Sequence, residues 1–185
     1  MDAREAVVRQ IARLEYEPEE VRHIILTHMH FDHCGGLVDF PQATVHVHQR
    51  EFEAFVGRPR QFTDLAYVRQ HIAHRPRLKF YRDETESWYG FPACRLPFEP
   101  EIWLVPLHGH TRGHCGVAIR TGNGWHFHVG DAAPVALEDF APRWLVNFAL
   151  GPHTDRLRVF AREHPEIRIT TGHMWLPFFD ETGLS

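Results

Sequence analysis

Residues 28–33 read His28-Met29-His30-Phe31-Asp32-His33, three imidazoles and one carboxylate within six positions, directly after the apolar run Ile24-Ile25-Leu26-Thr27. Imidazole nitrogens and carboxylate oxygens are the donors of a zinc-type metal site. Read as an extended stretch, the motif presents His28, His30 and Asp32 alternately with their neighbours. One short irregular loop could then aim all four donors into one pocket. Four donors so close, joined by any others, exceed what one tetrahedral ion needs, and so point to two ions. The chain has 16 histidines in 185 residues, so an isolated HxH pair carries little information. HxHxDH after an apolar run and before Cys34-Gly35-Gly36 carries more.

Three later segments repeat the arrangement of a metal-capable residue just beyond a predicted strand. Gly109-His110-Thr111-Arg112-Gly113-His114 follows residues 102–106, Gly130-Asp131 follows 125–129, and Gly172-His173 follows 167–171. Each potential ligand has a glycine beside it, which permits the tight turns and close backbone approach that several converging loops need.

The elements that must position these residues can be read from periodicity. Ala6, Val7, Ile11 and Leu14 recur at helical spacing within 3–14, and Pro18 with Glu19 and Glu20 marks a short helical turn leading into a strand at 24–27. Thr44 to His48 alternates as a strand, while 49–56 and 62–74 read as helices before the break at Pro76. Further strands are predicted at 78–82, 88–91, 102–106, 115–120, 125–129 and 167–171, with a helix over 154–164 capped by Thr154. Thr121-Gly122-Asn123-Gly124 is a hairpin turn. Residues 131–147, with Pro134 and Pro142, read as a loop that could lie over a site. Intermixed strands and helices with hairpin links give an α/β or α+β class with a partly antiparallel sheet, and 185 residues suit one domain over 1–185.

Composition excludes several function classes. A net charge of −4 leaves no basic footprint for nucleic acid. Cys34, Cys94 and Cys115 are odd in number and lack CxxC pairing, so neither a disulfide framework nor a thiolate zinc site is expected. With no apolar leader and no stretch near the ~18 residues of a membrane span, a cytoplasmic protein with no membrane partner is expected.

HxHxDH, then GHTRGH, then GD after a strand, then a late GH, resembles the metallo-β-lactamase-fold hydrolases in motif and in order. The intervals of 77 residues from His33 to His110, 21 to Asp131 and 42 to His173 resemble the lactonase and glyoxalase II branches. The resemblance implies an αββα sandwich and a binuclear site. His28, His30 and His110 would hold one ion, Asp32, His33 and His173 the other, and Asp131 would bridge them. Two zinc ions are implied, with iron or manganese compatible with the same donors. The implied chemistry is hydrolysis of a small ester, lactone, thioester or amide by a metal-bridging hydroxide. Asp32 serves there both as a ligand and as the carboxylate that orients the nucleophile or takes its proton.

His114 would support the ligands through hydrogen bonds rather than bind metal, and Thr111 either does the same or only stabilises its own turn. Trp144 in the irregular segment and Phe148 at its end, both after Asp131, are candidates for an apolar substrate wall. Cys34 reads as a small buried residue rather than a nucleophile. The pairs His46/His48 and His126/His128 read as exposed or half-buried polar strand faces, and His71/His74 as surface.

Two departures from the resemblance matter. Only 27 residues precede His28, where relatives carry several strands, so N-terminal strands are expected to be missing and a homodimer could cover the shortened sheet. Ala132-Ala133-Pro134 stands where lactonases often carry a tyrosine after the bridging aspartate, which weakens a lactonase reading. A glutathione thioesterase is expected to carry a basic C-terminal extension, and the residues after His173 do not read as one, so that activity is not expected. The competing class is a non-catalytic or weakly active metal-binding module of the same fold.

Overall fold

The structure, a computed structural model, describes residues 6–82, 86–133, 144 and 151–173. Its contacts divide the chain into two compact units, Met1–Tyr81 and Arg82–Ser185.

The first unit is built on a three-stranded parallel sheet, β1 (His23–Ile25), β2 (Thr44–His48) and β3 (Arg77–Tyr81), in that order. Helix α1 (Val7–Arg13) buries none of its residues. A 3-10 turn at Pro18–Glu20 follows, with the Glu17 amide donating to Glu20 Oε2 at 2.8 Å. A short helix α2 (Phe31–Cys34) and α3 (Gln49–Val56) complete its α-helices. Leu26, Met29, Cys34, Leu37, Val45, Val47 and Phe55 form the core.

The second unit holds a six-stranded sheet in sequential order: β4 (Glu86–Trp88), β5 (Phe91–Arg95), β6 (Ile102–Pro106), β7 (Cys115–Thr121), β8 (Gly124–His128) and β9 (Arg168–Thr170). All neighbours are antiparallel except β8 and β9, the pair that α4 (Thr154–Glu163) separates in sequence. Trp88, Phe91, Phe127, Leu157 and Phe160 are prominent in its core.

Several elements match their sequence signals, among them β2, α3 and β6, whose limits coincide with those read from periodicity. The β7–β8 hairpin closes through Gly122-Asn123, with the Thr121 hydroxyl donating to the Gly124 carbonyl at 2.9 Å. Four expectations need correction. Residues 62–74 are not one helix but two 3-10 turns, Phe62–Ala66 and Arg69–Ile72. Tyr67 and Val68 between them are extended, because the Tyr67 ring packs on Phe55 and its hydroxyl reaches Glu51. Residues 88–91 are not a strand: Tyr89 and Gly90 have φ of 46° and 79° and turn the chain from β4 into β5. β5 escaped notice because Pro92 argues against a strand, although it pairs across Ser87. Thr154 is the first helical residue, and His153 occupies the cap position.

The fourth correction concerns histidines. His46 and His48 are buried, not half-exposed, because β2 is the central strand of a parallel sheet and the run from Val45 to His48 lies inside.

Candidate metal centre

In the first unit the ligand-type residues sit at the end of β1. Met29 packs into the core and is fully buried, so His28 and His30, its two neighbours, leave the opposite face of the chain. Their ring centroids are 4.6 Å apart, and His28 and His33 are 4.0 Å apart. The motif is not extended throughout. His30 caps α2, the His33 and Cys34 amides both donate to its carbonyl at 3.0 Å, and Asp32 and His33 therefore lie on a helical turn. That turn brings His33 back over His28 and leaves Asp32 Oδ2 3.6 Å from His33 Nε2. His28 Nδ1 is 3.1 Å from the Thr27 hydroxyl.

Two residues of this unit that sequence reading missed hold the loop. The Met29 amide donates to Glu51 Oε1 at 2.8 Å, and the Tyr67 hydroxyl donates to the same oxygen at 3.0 Å. A signal for Glu51 was present: with Ala54 and Phe55 it occupies i, i+3 and i+4, the buried face of α3.

Cys34 is fully buried, and its thiol donates to the Met29 carbonyl at 3.3 Å. Burial, then the charges of Asp32 and Glu51, push the thiol up to about 12. It is a packing residue, since thiolate is the nucleophilic form.

In the second unit three strand-end loops meet around Asp131. Its Oδ2 is 3.4 Å from His110 Nε2 and 3.2 Å from His173 Nε2. His173 lies three residues past the end of β9, and the Gly172 amide donates to the Gly130 carbonyl at 2.9 Å, locking the Asp131 and His173 loops together. Gly130 has φ of 53°, a turn conformation that glycine takes without strain.

The His110 loop is held from behind. A Cβ on Gly109 would fall 2.4 Å from Gly151 Cα, so the two backbones touch where only glycines fit. His114 is fully buried and its Nε2 accepts the Asp131 amide at 3.1 Å, which fixes the neutral tautomer with hydrogen on Nδ1. Thr111 is also fully buried, and its carbonyl accepts the Gly109 amide at 2.9 Å. His108 Nδ1 lies 3.2 Å from the His114 carbonyl, and His153 Nε2 lies 2.8 Å from the His108 carbonyl. His153 is a further support that nothing in its sequence context marked. Of the two aromatic candidates for substrate contact, Trp144 is 70% exposed and Phe148 lies outside the described residues.

As a donor set, imidazole nitrogens with carboxylate oxygens fit zinc, and also iron or manganese. No thiolate takes part: the three cysteines are buried and unpaired with one another.

Comparison with known proteins finds relatives that are named as hydrolases. A probable metallo-hydrolase of Mycobacterium bovis is 42% identical over 131 residues, covering 69% of this chain and 42% of its own length. An N-acyl homoserine lactonase of Rhizobium radiobacter is 26% identical over 183 residues, covering 94% of this chain and 65% of its own. The solved structure of an N-acyl homoserine lactone hydrolase, with N-hexanoyl-L-homoserine at its catalytic metal centre, superposes with a TM-score of 0.65 at 25% identity, covering 94% of this chain and 64% of that one. The chain thus spans less than two thirds of the length of each of these relatives. The family model that describes the metallo-beta-lactamase superfamily matches residues 1–173, and the chain belongs to that superfamily.

Proposed function

We propose that this chain, as one domain over residues 1–185, is a binuclear metal-dependent hydrolase. His28, His30 and His110 would hold one ion, Asp32, His33 and His173 the other, and Asp131 would bridge. The observation that carries the reading is the Asp131 carboxylate, whose one oxygen stands 3.4 and 3.2 Å from two imidazole nitrogens on separate loops. A carboxylate suits a bridge because each of its oxygens can take a cation. The ligand order is the family's, and zinc is the metal this donor set favours.

Metal ions held by these residues would supply an activated water, acidic enough to lose a proton near neutral pH, and positive charge for an oxygen that becomes anionic. The chain's own residues do the rest. Asp32, on its helical turn and with its side chain 29% exposed, would orient that water or accept its proton. With His28 Nδ1 turned to Thr27, a metal would take Nε2. His114 holds the backbone of Asp131, so the bridging carboxylate keeps its aim.

The substrate is proposed to be a small carbonyl compound, an ester, lactone, thioester or amide. Two relatives named as acyl homoserine lactone hydrolases put lactones first among these. Ala132 and Ala133, both buried after Asp131, offer no hydroxyl to a leaving oxygen. A cytoplasmic location belongs to the same proposal, supported by three cysteines that form no disulfide. Among the described residues no helix is long and apolar enough to cross a membrane.

Metal analysis joined to a panel of chromogenic lactones, thioesters, β-lactams and phosphodiesters tests the reading. The expected result is about two equivalents of metal per chain and turnover of at least one carbonyl substrate. His110→Ala should lose more of both than the ~10–100-fold that removal of a supporting residue costs. A folded chain that takes up no metal would sink the proposal. Full metal loading without turnover of any carbonyl substrate would leave a metal-binding module and remove the hydrolase.

A further inference from the structure

We infer that Glu51 and Tyr67 are positioning residues that set the aim of His28 and His30 before any metal arrives. The inference rests on the metal-site reading above and adds residues to it.

Both ends of the Met29 residue are tied. Its amide donates to Glu51 Oε1 at 2.8 Å and its carbonyl accepts the Cys34 thiol at 3.3 Å. Its side chain is fully buried in the first unit's core. The residue between two ligand-type histidines is therefore fixed at three points, and the imidazoles on either side take their direction from it. A second tie reaches His30 itself: the Tyr67 ring lies against it, centroids 5.2 Å apart at 59°, while the Tyr67 hydroxyl donates to the same Glu51 oxygen at 3.0 Å. Phe55, one turn beyond Glu51 on α3, packs edge-on against Tyr67 at 5.5 Å. Glu51, Tyr67 and the loop thus form one closed hydrogen-bonded and ring-packed unit.

Its composition argues against a purely packing role. Glu51 is fully buried, and a carboxylate costs far more to bury than the leucine or methionine that could fill the same space on α3. What a carboxylate oxygen offers in return is acceptance of two donors at once, one from the backbone of the ligand loop and one from the side chain that flanks His30. Outer hydrogen bonds of this kind orient metal ligands and commonly set affinity. The break of residues 62–74 into two turns has the same origin, because the extended step at Tyr67 and Val68 is what brings the Tyr67 hydroxyl to Glu51.

The test uses the full chain and three variants, Glu51→Ala, Glu51→Gln and Tyr67→Phe, each checked for fold by circular dichroism. Zinc affinity is read by competition with a chelating dye, ligand geometry by the visible spectrum of the cobalt(II)-loaded chain, and the loop itself by amide exchange at Met29 in metal-free protein. Glu51→Ala should weaken zinc by about 10–100-fold, alter the cobalt spectrum and speed Met29 exchange. Glu51→Gln, which keeps an acceptor oxygen, should recover part of each. Tyr67→Phe keeps the ring and should show a smaller loss of affinity with the same direction of spectral change.

Wild-type zinc affinity, cobalt spectrum and Met29 exchange in folded Glu51→Ala overturn the inference. If Glu51→Ala does not fold, the same unchanged readings in Tyr67→Phe overturn it. A wild-type chain that takes up no metal instead overturns the proposed function, and the inference with it, so the two failures are told apart by the wild-type control.

Discussion

At the scale of single residues, the chain separates groups able to bind or react from groups that only hold them. Asp131 presents an oxygen to two imidazoles, while His114, with the same imidazole chemistry, spends its Nε2 on the Asp131 amide. His114→Ala should therefore leave the donor set intact yet weaken metal binding and any hydrolysis by roughly 10–100-fold. His114→Gln, whose amide oxygen can accept the same hydrogen, should recover part of the loss. Equal affinity in all three proteins, measured by chelator competition, would deny His114 a role. Cys34 gives the opposite expectation. Fully buried, with its thiol pushed up to about 12, it should resist iodoacetamide in the folded chain. Cys34→Ala should then keep measurable turnover, lowered only as far as loss of the thiol's tie to the Met29 carbonyl loosens the ligand loop, and abolished turnover in a folded, metal-loaded variant would restore the nucleophile reading rejected above.

At the scale of elements, the recurring device is a strand followed by a glycine and a ligand-type residue. That device was legible because strand patterning and the Gly-His and Gly-Asp steps are local: β6, β8 and β9 each precede the loop that the sequence marks. What stayed hidden depends on partners distant in sequence. The helical spacing of Glu51 with Ala54 and Phe55 marks it as inward-facing, but its role shows only once Met29, 22 positions earlier, and Tyr67, 16 later, are seen around it. β5 was hidden by Pro92, and the 62–74 segment by a helical period that tertiary contacts override. Gly109 shows how closely one loop is built. Its Cα faces Gly151 with no room for a methyl group, a Cβ falling 2.4 Å from backbone rather than from a movable side chain. Gly109→Ala should destabilise the chain by about 1–3 kcal/mol and lower metal affinity as His110 shifts. Gly122→Ala, where nothing lies within 4 Å of the added carbon, is the matched control. Denaturant unfolding of the two variants should differ, and equal midpoints would count against the close approach.

At the scale of the whole molecule, both units store neutral histidines, which makes acid a general threat beyond its effect on metal. The abundance of histidine was plain in the sequence, but which of them are buried was not, because that depends on strand order: β2 is central only once β1 and β3 flank it. His46 lies there with Nε2 2.9 Å from His23 Nδ1 and Nδ1 2.8 Å from the Tyr81 hydroxyl. Burial, then the charges of His23 and Lys79, push it from 6.5 down to about 4. In the second unit burial also lowers His126, with Arg168 adding to the effect. Burial lowers His153 too, against the hydrogen bond to the His108 carbonyl and helped by Arg156. Each of these residues takes a proton more readily in the unfolded chain than in the folded one. Between pH 6.5 and about 4 the unfolded state therefore binds more protons, and stability must fall as pH falls through that window. For His46 the full window corresponds to roughly 3 kcal/mol, the gap between neutral and acid stability that this one residue can account for. Metal-free protein is the right sample, since protonation of ligand histidines would release bound ions over the same range. Urea unfolding at pH 7, 6 and 5 should give steadily lower midpoints. His46→Gln should be weaker at pH 7, having lost its place between His23 and Tyr81, yet decline less steeply toward pH 5 because one proton-binding difference is gone. A variant that declines as steeply as the wild type would show that His46 is already charged in the folded chain.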